Sequence, residues 1–281
     1  MPANYKYDLA IVSMFRNEGR FLKEWIEFHK LVGVQHFFLY NNSSTDNYKE
    51  ILTPYINKGI VELKDWNIFD GFHQQDQEEA FRDALKHMIG IVKWAAFLDL
   101  DEFLYPVYEN NLLTFLKDYE DYGGICVNWL FFGTSDIECI PNNGLMIEHL
   151  TMCNPNYGSN IHIKSIVRPD RTTSMPSAHY CEYKPPYFNV NADKFQYHGA
   201  MFPYAAHDKI RINHYWTRDI KNLLEVKIPN CLLARAWENQ YARKFELMQW
   251  LIKESNELNK TTDTVIHKYL DRLKSNLKKS V

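Results

Sequence analysis

Short apolar runs alternate with amphipathic segments over the first hundred residues, and this alternation restricts the fold more than any other feature. The apolar runs predict buried strands at residues 9–14, 34–40, 60–63 and 94–98. Between them, apolar residues recur every three or four positions, which predicts helices from Glu18 to Gly33, from Asn47 and over 73–93. Strands and helices in this order form a parallel, doubly wound sheet. The sequence therefore predicts an α/β fold with a mostly parallel sheet flanked by helices.

The second half of the chain has a more mixed pattern. Strands are predicted at 124–132 and 161–167, and helices at 218–228, 234–256 and 263–277. Neither a repeat nor a Pro/Gly/Ser-rich linker marks a second domain. We therefore expect one α/β domain over residues 1–218, with residues 219–281 forming a helical extension packed on the same domain.

Composition and charge exclude several classes of protein. The chain of 281 residues is 46% hydrophobic and 24% charged, which excludes a disordered or low-complexity protein. The formal net charge of -3 gives no basic field, so we predict no nucleic-acid partner. Five Cys residues without paired metal-binding spacing favour reduced thiols.

The ends of the sequence bear on its location. Because the first apolar stretch begins at Leu9 and is interrupted by Arg16, we expect neither a signal peptide nor a spanning helix, and a cytoplasmic protein. Residues 241–281 carry nine Lys/Arg against five Asp/Glu. This excess favours a solvated helical face, and peripheral contact with the inner face of a membrane is the alternative.

An acidic cluster follows the predicted strand 94–98. Asp99 and Asp101 are two positions apart, so they would point to opposite faces of a regular strand. If the strand ends there and the backbone turns, both carboxylates can bind Mg²⁺ or Mn²⁺ together with phosphate oxygens. A structural alternative is that Asp101 or Glu102 only caps the following turn. An Asp-x-Asp pattern alone is weak evidence for a metal site, and the preceding apolar strand strengthens that evidence.

Several motifs, in order and spacing, resemble glycosyltransferase family 92 and related bacterial family 2-like glycosyltransferases. They are Arg-Asn-Glu at 16–18, Lys-Glu-Trp-Ile-Glu-Phe-His at 23–29, Phe-Leu-Tyr-Asn-Asn-Ser-Ser-Thr-Asp at 38–46, Asp-Leu-Asp-Glu-Phe at 99–103, Trp129 with Phe132-Gly133, Lys-Ser-Ile-Val-Arg-Pro at 164–169 and Ile-Asn-His-Tyr at 212–215. The resemblance implies a Rossmann-like GT-A fold, a nucleotide-sugar donor, a divalent metal held by Asp-x-Asp, and inversion at the anomeric carbon.

Matched to these motifs, the candidate donor-binding residues follow the predicted strands. They are Arg16, Asn17, Glu18, Asn41, Ser43, Asp46, Asp99, Lys164 and Arg168. Helix capping is the alternative role for Asn17 and Asp46, and a solvated surface is the alternative for the two cations. The metal would be held by Asp99, Asp101 and His214, with His179 the competing histidine. We expect Gln77 to have a surface role.

Asp136, beyond the aromatic strand 124–132, is the candidate catalytic base that takes the proton from the acceptor hydroxyl. Glu102 and Glu182 are the alternatives, and Asp136 also suits a turn cap. Aromatic residues, Trp129 and those in 183–188 among them, could stack on acceptor sugar rings, although some must belong to the core.

The predicted function is transfer of a hexose, with galactose the first candidate, from a nucleotide sugar to a saccharide hydroxyl, and the resemblance implies that the donor is UDP-linked. Two alternatives stay open. Phosphatases with an Asp nucleophile also use Asp-x-Asp, although Phe103 stands where they prefer Thr or Val. A non-catalytic nucleotide- or carbohydrate-binding protein is the other. Pocket shape, rather than a short motif, sets the sugar and the linkage.

Overall fold

The computed structural model describes residues 4–66, 74–185, 189–197, 199–234 and 241–279. Strands run over β1 Tyr7–Phe15, β2 His36–Asn41, β3 Val61–Asp65, β4 Val92–Phe97, β5 Glu102–Pro106, β6 Gly124–Phe131, β7 Met152–Cys153, β8 Ile163–Val167, β9 Thr172–Ser174, β10 Glu182–Tyr183, β11 Asn189–Val190, β12 Ile210–His214 and β13 Thr261–Thr262. Helices run over α1 Gly19–Leu31, α2 Tyr48–Asn57, α3 Gln74–Met88, α4 Leu112–Leu116, α5 Met146–His149, α6 Ile220–Asn222, α7 Ile228–Ala234, α8 Tyr241–Glu257 and α9 Leu270–Lys279. Residue 73 of a predicted helix, residues 186–188 of the aromatic stretch and residues 235–240 of another predicted helix lie outside the described residues.

One large sheet organises the molecule. Its strand order is β3-β2-β1-β4-β8-β6-β12-β5, and β11 pairs with β6. Strands β1 to β4 are mutually parallel where they pair, and β6 and β12 are parallel to each other. Strand β8 is antiparallel to both β4 and β6, so β6 runs in the same direction as β4. The α/β class with a mostly parallel sheet, predicted from the sequence, is confirmed.

Helices cover both faces of the sheet because both sets of alternating side chains on β1 are apolar. Leu9, Ile11 and Phe15 pack into the larger core with α1, α2 and α9. Ala10, Val12 and Met14 face the other way and pack against α3. A strand that is buried on both faces requires a continuous apolar run, which is what the sequence has at this position.

A glycine follows the end of α1, whereas a proline lies inside α2 without ending it. Helix α1 ends before Gly33, whose φ of 106° lies in the left-handed region that glycine adopts most easily. Helix α2 continues past Pro54 to Asn57. The sequence predicts that Pro54 bends or ends this helix, and the structure shows that it does not end it.

The C-terminal segment packs on the α/β domain. Ile266, Tyr269 and Leu273 belong to the same apolar core as the sheet. Lys23 Nζ donates to Leu277 O at 3.2 Å, which joins α1 to α9. Strand β13 pairs with β7. Within the part of the chain that the structure describes, none of the helices combines the length and the apolar character needed to cross a bilayer.

Candidate active site

The acidic cluster lies in a tight turn between β4 and β5. Glu102 N–H donates to Asp99 O at 3.1 Å, and Asp99 N–H donates to Glu102 Oε2 at 3.0 Å. Strand β5 then returns antiparallel beside β12, a strand pairing that the sequence did not predict. Because β4 ends before Asp99, the condition for placing both aspartates at one site is met.

Asp99 is held by two side chains from different elements. Lys164 Nζ lies 2.9 Å from Asp99 Oδ2, and Gln77 Nε2 donates to Asp99 Oδ1 at 2.5 Å. The Lys164 side chain is 1% exposed, and its Nζ also lies 3.7 Å from Glu102 Oε1. Burial acts to raise the pKa of Asp99, but the charge and hydrogen bond of Lys164, together with His214, leave that pKa below its ordinary value. Burial raises the pKa of Glu102 well above its ordinary value.

Asp101 faces a histidine and a second lysine. His214 Nε2 lies 3.6 Å from Asp101 Oδ1, and Lys227 Nζ lies 3.1 Å from Asp101 Oδ2. Tyr215 N–H also donates to Asp101 O at 2.8 Å, which fixes β12 against the acidic turn. Burial again acts to raise the pKa of Asp101, but the cations around it, Lys227 first, hold that pKa well below its ordinary value.

Of the two candidate histidines, His214 is the one whose ring nitrogen lies 3.6 Å from Asp101. The His214 ring lies between Trp129 and Phe131, with centroid distances of 4.5 Å to each. Burial lowers its pKa, so the ring is neutral near pH 7. His179 Nδ1 lies 3.0 Å from the backbone oxygen of Ile163, and burial lowers the pKa of His179 to about 4.

The side chains at this edge of the sheet include donor types that can bind a divalent cation. Across the described ranges, no group of three or more His, Cys, Asp or Glu side chains is arranged to hold a metal ion. Asp101 and His214 nevertheless offer a carboxylate and a neutral imidazole, the donor types that Mn²⁺ accepts. His214 Nδ1 is buried without a hydrogen-bond partner in the described structure. Ions that keep water and substrate oxygens as ligands need few protein donors.

The two polar loops that follow β1 and β2 are joined by hydrogen bonds. Asn17 N–H donates to Ser44 Oγ at 2.9 Å, and Thr45 N–H donates to Asn17 Oδ1 at 2.8 Å. The Asp46 carboxylate accepts from Gly19 N–H at 2.6 Å and so caps α1. Asp46 Oδ1 also accepts from Tyr48 N–H at 3.4 Å at the start of α2, which is the helix that the capping alternative concerned.

The remaining candidates of these loops differ in their exposure. Arg16 and Ser43 are exposed at the edge, and Ser43 has a φ of 51°. Asn41 is buried, and its Nδ2 donates to Asp65 Oδ1 at 2.8 Å. Glu18 Oε2 lies 2.6 Å from Arg218 Nη2. Burial raises the pKa of Glu18 against the opposing effect of Arg218.

The structure does not bring Arg168 to this cluster, and this corrects the expectation that it acts beside Lys164. Strand β8 is antiparallel to β4 and its Val167 pairs with Ala95, so Arg168 lies toward the start of β4 while Lys164 extends past the end of β4 toward Asp99. Arg168 instead donates to the Glu120 backbone oxygen at 3.3 Å. Two residues on one face of a strand can thus lie at opposite ends of that strand, so that only one of them reaches the carboxyl edge of the sheet.

The three acidic residues considered as bases have different surroundings. Asp136 lies in an exposed turn with a φ of 57° and accepts from Asn259 Nδ2 at 3.1 Å. Glu182 is exposed and accepts from Ser174 Oγ at 2.6 Å. Glu102 is fully buried beneath the acidic pair. Asp136 follows β6, whose last residues pair with those of β12, so it lies beyond the same edge as His214.

Three side chains at this edge were missed from the sequence. Gln77 is 8% exposed rather than on the surface, and it bonds Asp99. Arg218 and Lys227 follow β12 and approach Glu18 and Asp101. A cation in a predicted helix gives no signal that distinguishes it from surface residues such as Lys221.

Comparison with known proteins agrees with the motifs. The family model of glycosyltransferase family 92 matches residues 11–221. The chain belongs to glycosyltransferase family 92. A glycosyltransferase family 92 protein of Ricinus communis is 29% identical over 196 residues, which are 67% of this chain and 34% of that protein. The β-1,4-galactosyltransferase galt-1 of Caenorhabditis elegans is 27% identical over 117 residues, 39% of this chain and 28% of that protein.

The chain spans between a fifth and a third of the length of the curated relatives that it matches, from 20% of a galactan β-1,4-galactosyltransferase of Arabidopsis thaliana to 34% of the Ricinus protein. Among solved structures, TarS 1-349 of S. aureus superposes with a TM-score of 0.40 at 12% identity, covering 86% of this chain and 69% of that one.

Proposed function

We propose that this protein transfers a hexose, galactose first, from a UDP-sugar to a saccharide hydroxyl with inversion of the anomeric carbon. One observation carries the proposal: Asp99 and Asp101 lie together at the carboxyl edge of the sheet, among Lys164, Lys227 and His214. Ligands of open α/β sheets bind at this edge. Membership of the family favours sugar transfer over the phosphatase and binding-protein alternatives.

The donor nucleoside is proposed to lie over the loops after β1 and β2. Their mutual hydrogen bonds fix the backbone before any ligand arrives, which limits the ordering cost of binding. Arg16, Asn17 and Ser43 are exposed there, and Asn17 and Asp46 also accept hydrogen bonds that join the two loops. We assign contact with the base and ribose to Arg16 and Ser43, and positioning of the loops to Asn17 and Asp46.

A divalent ion, Mn²⁺ or Mg²⁺, is proposed at Asp101 and His214. When bound, the ion would neutralise charge on the donor diphosphate as the sugar leaves. Lys164 holds Asp99 beside this position and brings a buried positive charge to the same edge. Such fixed charges stabilise a leaving diphosphate without a protein nucleophile.

The acceptor hydroxyl needs one general base on the side opposite the leaving group. We propose Asp136, because it is solvent-exposed and follows β6 beyond the edge where His214 lies. Trp129, which is 9% exposed and in ring contact with His214, is proposed to offer an apolar face to the acceptor sugar ring.

Galactose is the first donor sugar to test because the nematode relative is named a β-1,4-galactosyltransferase. The purified chain is incubated with UDP-galactose, Mn²⁺ and β-galactoside oligosaccharides, and both UDP release and the extended product are measured. UDP-glucose and UDP-N-acetylglucosamine are tested in parallel as alternative donors. Product that forms with a UDP-sugar and stops with a chelator supports the proposal. Phosphate release from p-nitrophenyl phosphate without any sugar transfer would overturn it in favour of the phosphatase alternative.

A further inference from the structure

Lys227 occupies one oxygen of the carboxylate that the proposed metal would use. Its Nζ lies 3.1 Å from Asp101 Oδ2 and 5.2 Å from the centre of the Trp216 ring. The Lys227 side chain is 26% exposed, and that of Asp101 is 11% exposed. The ammonium is therefore held between a carboxylate and an aromatic face, yet it retains contact with solvent.

The backbone that carries Lys227 is irregular. Between α6 and α7 the chain forms a π-helical turn, Leu223–Lys227, within one continuous helical segment. Residues 224–226 of this turn are exposed, and Lys227, its last residue, is directed to Asp101. Single π-helical turns inside α-helices occur frequently at functional sites. The irregular turn is a second observation, independent of the ion pair, that marks this segment.

A divalent ion and an ammonium group compete for one carboxylate. Asp101 Oδ1 already faces His214 at 3.6 Å, so the Asp101 oxygen free of that contact is the one that Lys227 holds. A cation bound at Asp101 and His214 would repel the ammonium from its present position. Once released from Asp101, the Lys227 ammonium would remain on the solvent-exposed side of the site, where the donor diphosphate is proposed to lie.

We propose that Lys227 is a displaceable cation: it neutralises Asp101 in the empty site and, when metal and donor bind, moves from Asp101 to an oxygen of the donor diphosphate. The inference rests on the proposed function. It assigns Lys227 two opposite effects, since the side chain opposes binding of the metal alone and favours binding of the nucleotide with the metal. A lysine with only a structural role would weaken both when removed.

The test measures Mn²⁺ and UDP binding separately in three variants. Free Mn²⁺ is followed by electron paramagnetic resonance, first without nucleotide, and UDP binding is then followed by calorimetry at saturating Mn²⁺. Lys227→Met removes the ammonium, Lys227→Arg keeps a positive charge, and Lys221→Met is the matched control from an exposed position of the same helical segment. Circular dichroism confirms that each variant is folded.

Lys227→Met is expected to bind Mn²⁺ alone about fivefold more tightly and UDP with Mn²⁺ about fivefold more weakly, the size expected for a partly exposed ion pair. Lys227→Arg retains most of the UDP affinity, and Lys221→Met behaves as the unmodified protein. If Lys227→Met binds Mn²⁺ no more tightly, or if both affinities fall, the inference is overturned while the proposed function stands. An unmodified protein that binds neither Mn²⁺ nor UDP overturns both. If Lys227→Met is not folded, Lys227→Gln replaces it with the same expected results.

Discussion

The ammonium of Lys164 lies 2.9 Å from the carboxylate of Asp99, although the two residues are 65 positions apart in the chain. The pair joins β8 to the turn after β4, and the Lys164 side chain is 1% exposed whereas that of Asp99 is 32% exposed. Removing Asp99 would leave a buried ammonium without its partner, and removing Lys164 takes the cation away from both Asp99 and the buried Glu102. Lys164 therefore supports the fold and the electrostatics of the donor site together.

Replacing Lys164 with Met is expected to lower the free energy of unfolding by about 3 kcal/mol, because Asp99 and Glu102 lose their buried cation. Urea unfolding measures this change. The matched control is Lys93→Met, which breaks an ion pair with Glu120 whose side chains are 27% and 41% exposed. That pair is worth less than about 1 kcal/mol. Equal losses in the two variants would show that burial does not set the strength of the Lys164 contacts.

Replacing Arg168 with Met is expected to leave UDP affinity unchanged, because the structure places this side chain at the opposite edge of the sheet from Asp99. Stability falls by roughly 1–3 kcal/mol through the lost charged hydrogen bonds. Calorimetry with UDP and Mn²⁺ and urea unfolding measure the two quantities. A tenfold loss of UDP affinity without a loss of stability would restore the sequence-based prediction that Arg168 binds the donor.

Asp136→Asn is expected to reduce turnover about 10²–10⁴-fold, the usual contribution of a general base, while UDP binding persists. Turnover is measured as UDP release with acceptor present, and binding by calorimetry. Asn259→Ala is the control, since it removes the hydrogen bond to Asp136 and keeps the carboxylate. A reduction below about tenfold would move the assignment to Glu102 or Glu182.

The free energy of unfolding is expected to fall as the pH is lowered, because His29 is buried in its neutral form. This buried ring accepts from Leu104 N–H at 3.2 Å and contacts Trp25 O at 2.9 Å, so it must be neutral. Burial lowers the pKa of His29 from 6.5 to about 3. Between these values the unfolded chain binds the extra proton, so the free energy of unfolding declines as pH falls, by about 1.4 kcal/mol from pH 7.5 to 5.5.

The variant His29→Gln can keep both contacts without titrating. Urea unfolding at pH 7.5 and 5.5 should show a smaller decline in this variant than in the unmodified protein. Equal declines would mean that other groups, not His29, bind the protons that destabilise the fold.

Local patterns predicted the strands that run through the middle of the sheet. The apolar runs at 9–14 and 94–98 are buried on both faces, so hydrophobicity alone marks them, and β1 and β4 lie there. Strand β5 was missed because its pairing with β12 depends on residues more than a hundred positions away. The order and direction of β8 and β6 also depend on such distant contacts.

The candidate site was predicted in the same uneven way. Asp101 and His214 lie 3.6 Å apart, because Asp101 follows β4 and His214 ends β12 at the same edge, while the role of Asp99, Asp101 and His214 as metal ligands stays a prediction. Arg168 was misplaced because a period of two fixes the face of a strand but not which end reaches the site. Lys227 was missed because an ion pair across 126 residues leaves no local pattern. The assignments of Asp136 and of the donor loops stay predictions.

The central claim is that Asp101 and His214 bind a divalent ion that links the protein to a nucleoside diphosphate, and thermal unfolding with UDP and Mn²⁺ tests it most directly. At about a hundred times the Kd a ligand adds ~2.7 kcal/mol to the free energy of unfolding. For a chain of this size the Tm should then rise by roughly 5–10 °C. The account predicts that this rise requires both UDP and Mn²⁺, disappears in Asp101→Asn and is reduced in His214→Ala. An equal rise with UDP in the presence of a chelator, or an undiminished rise in Asp101→Asn, would contradict it.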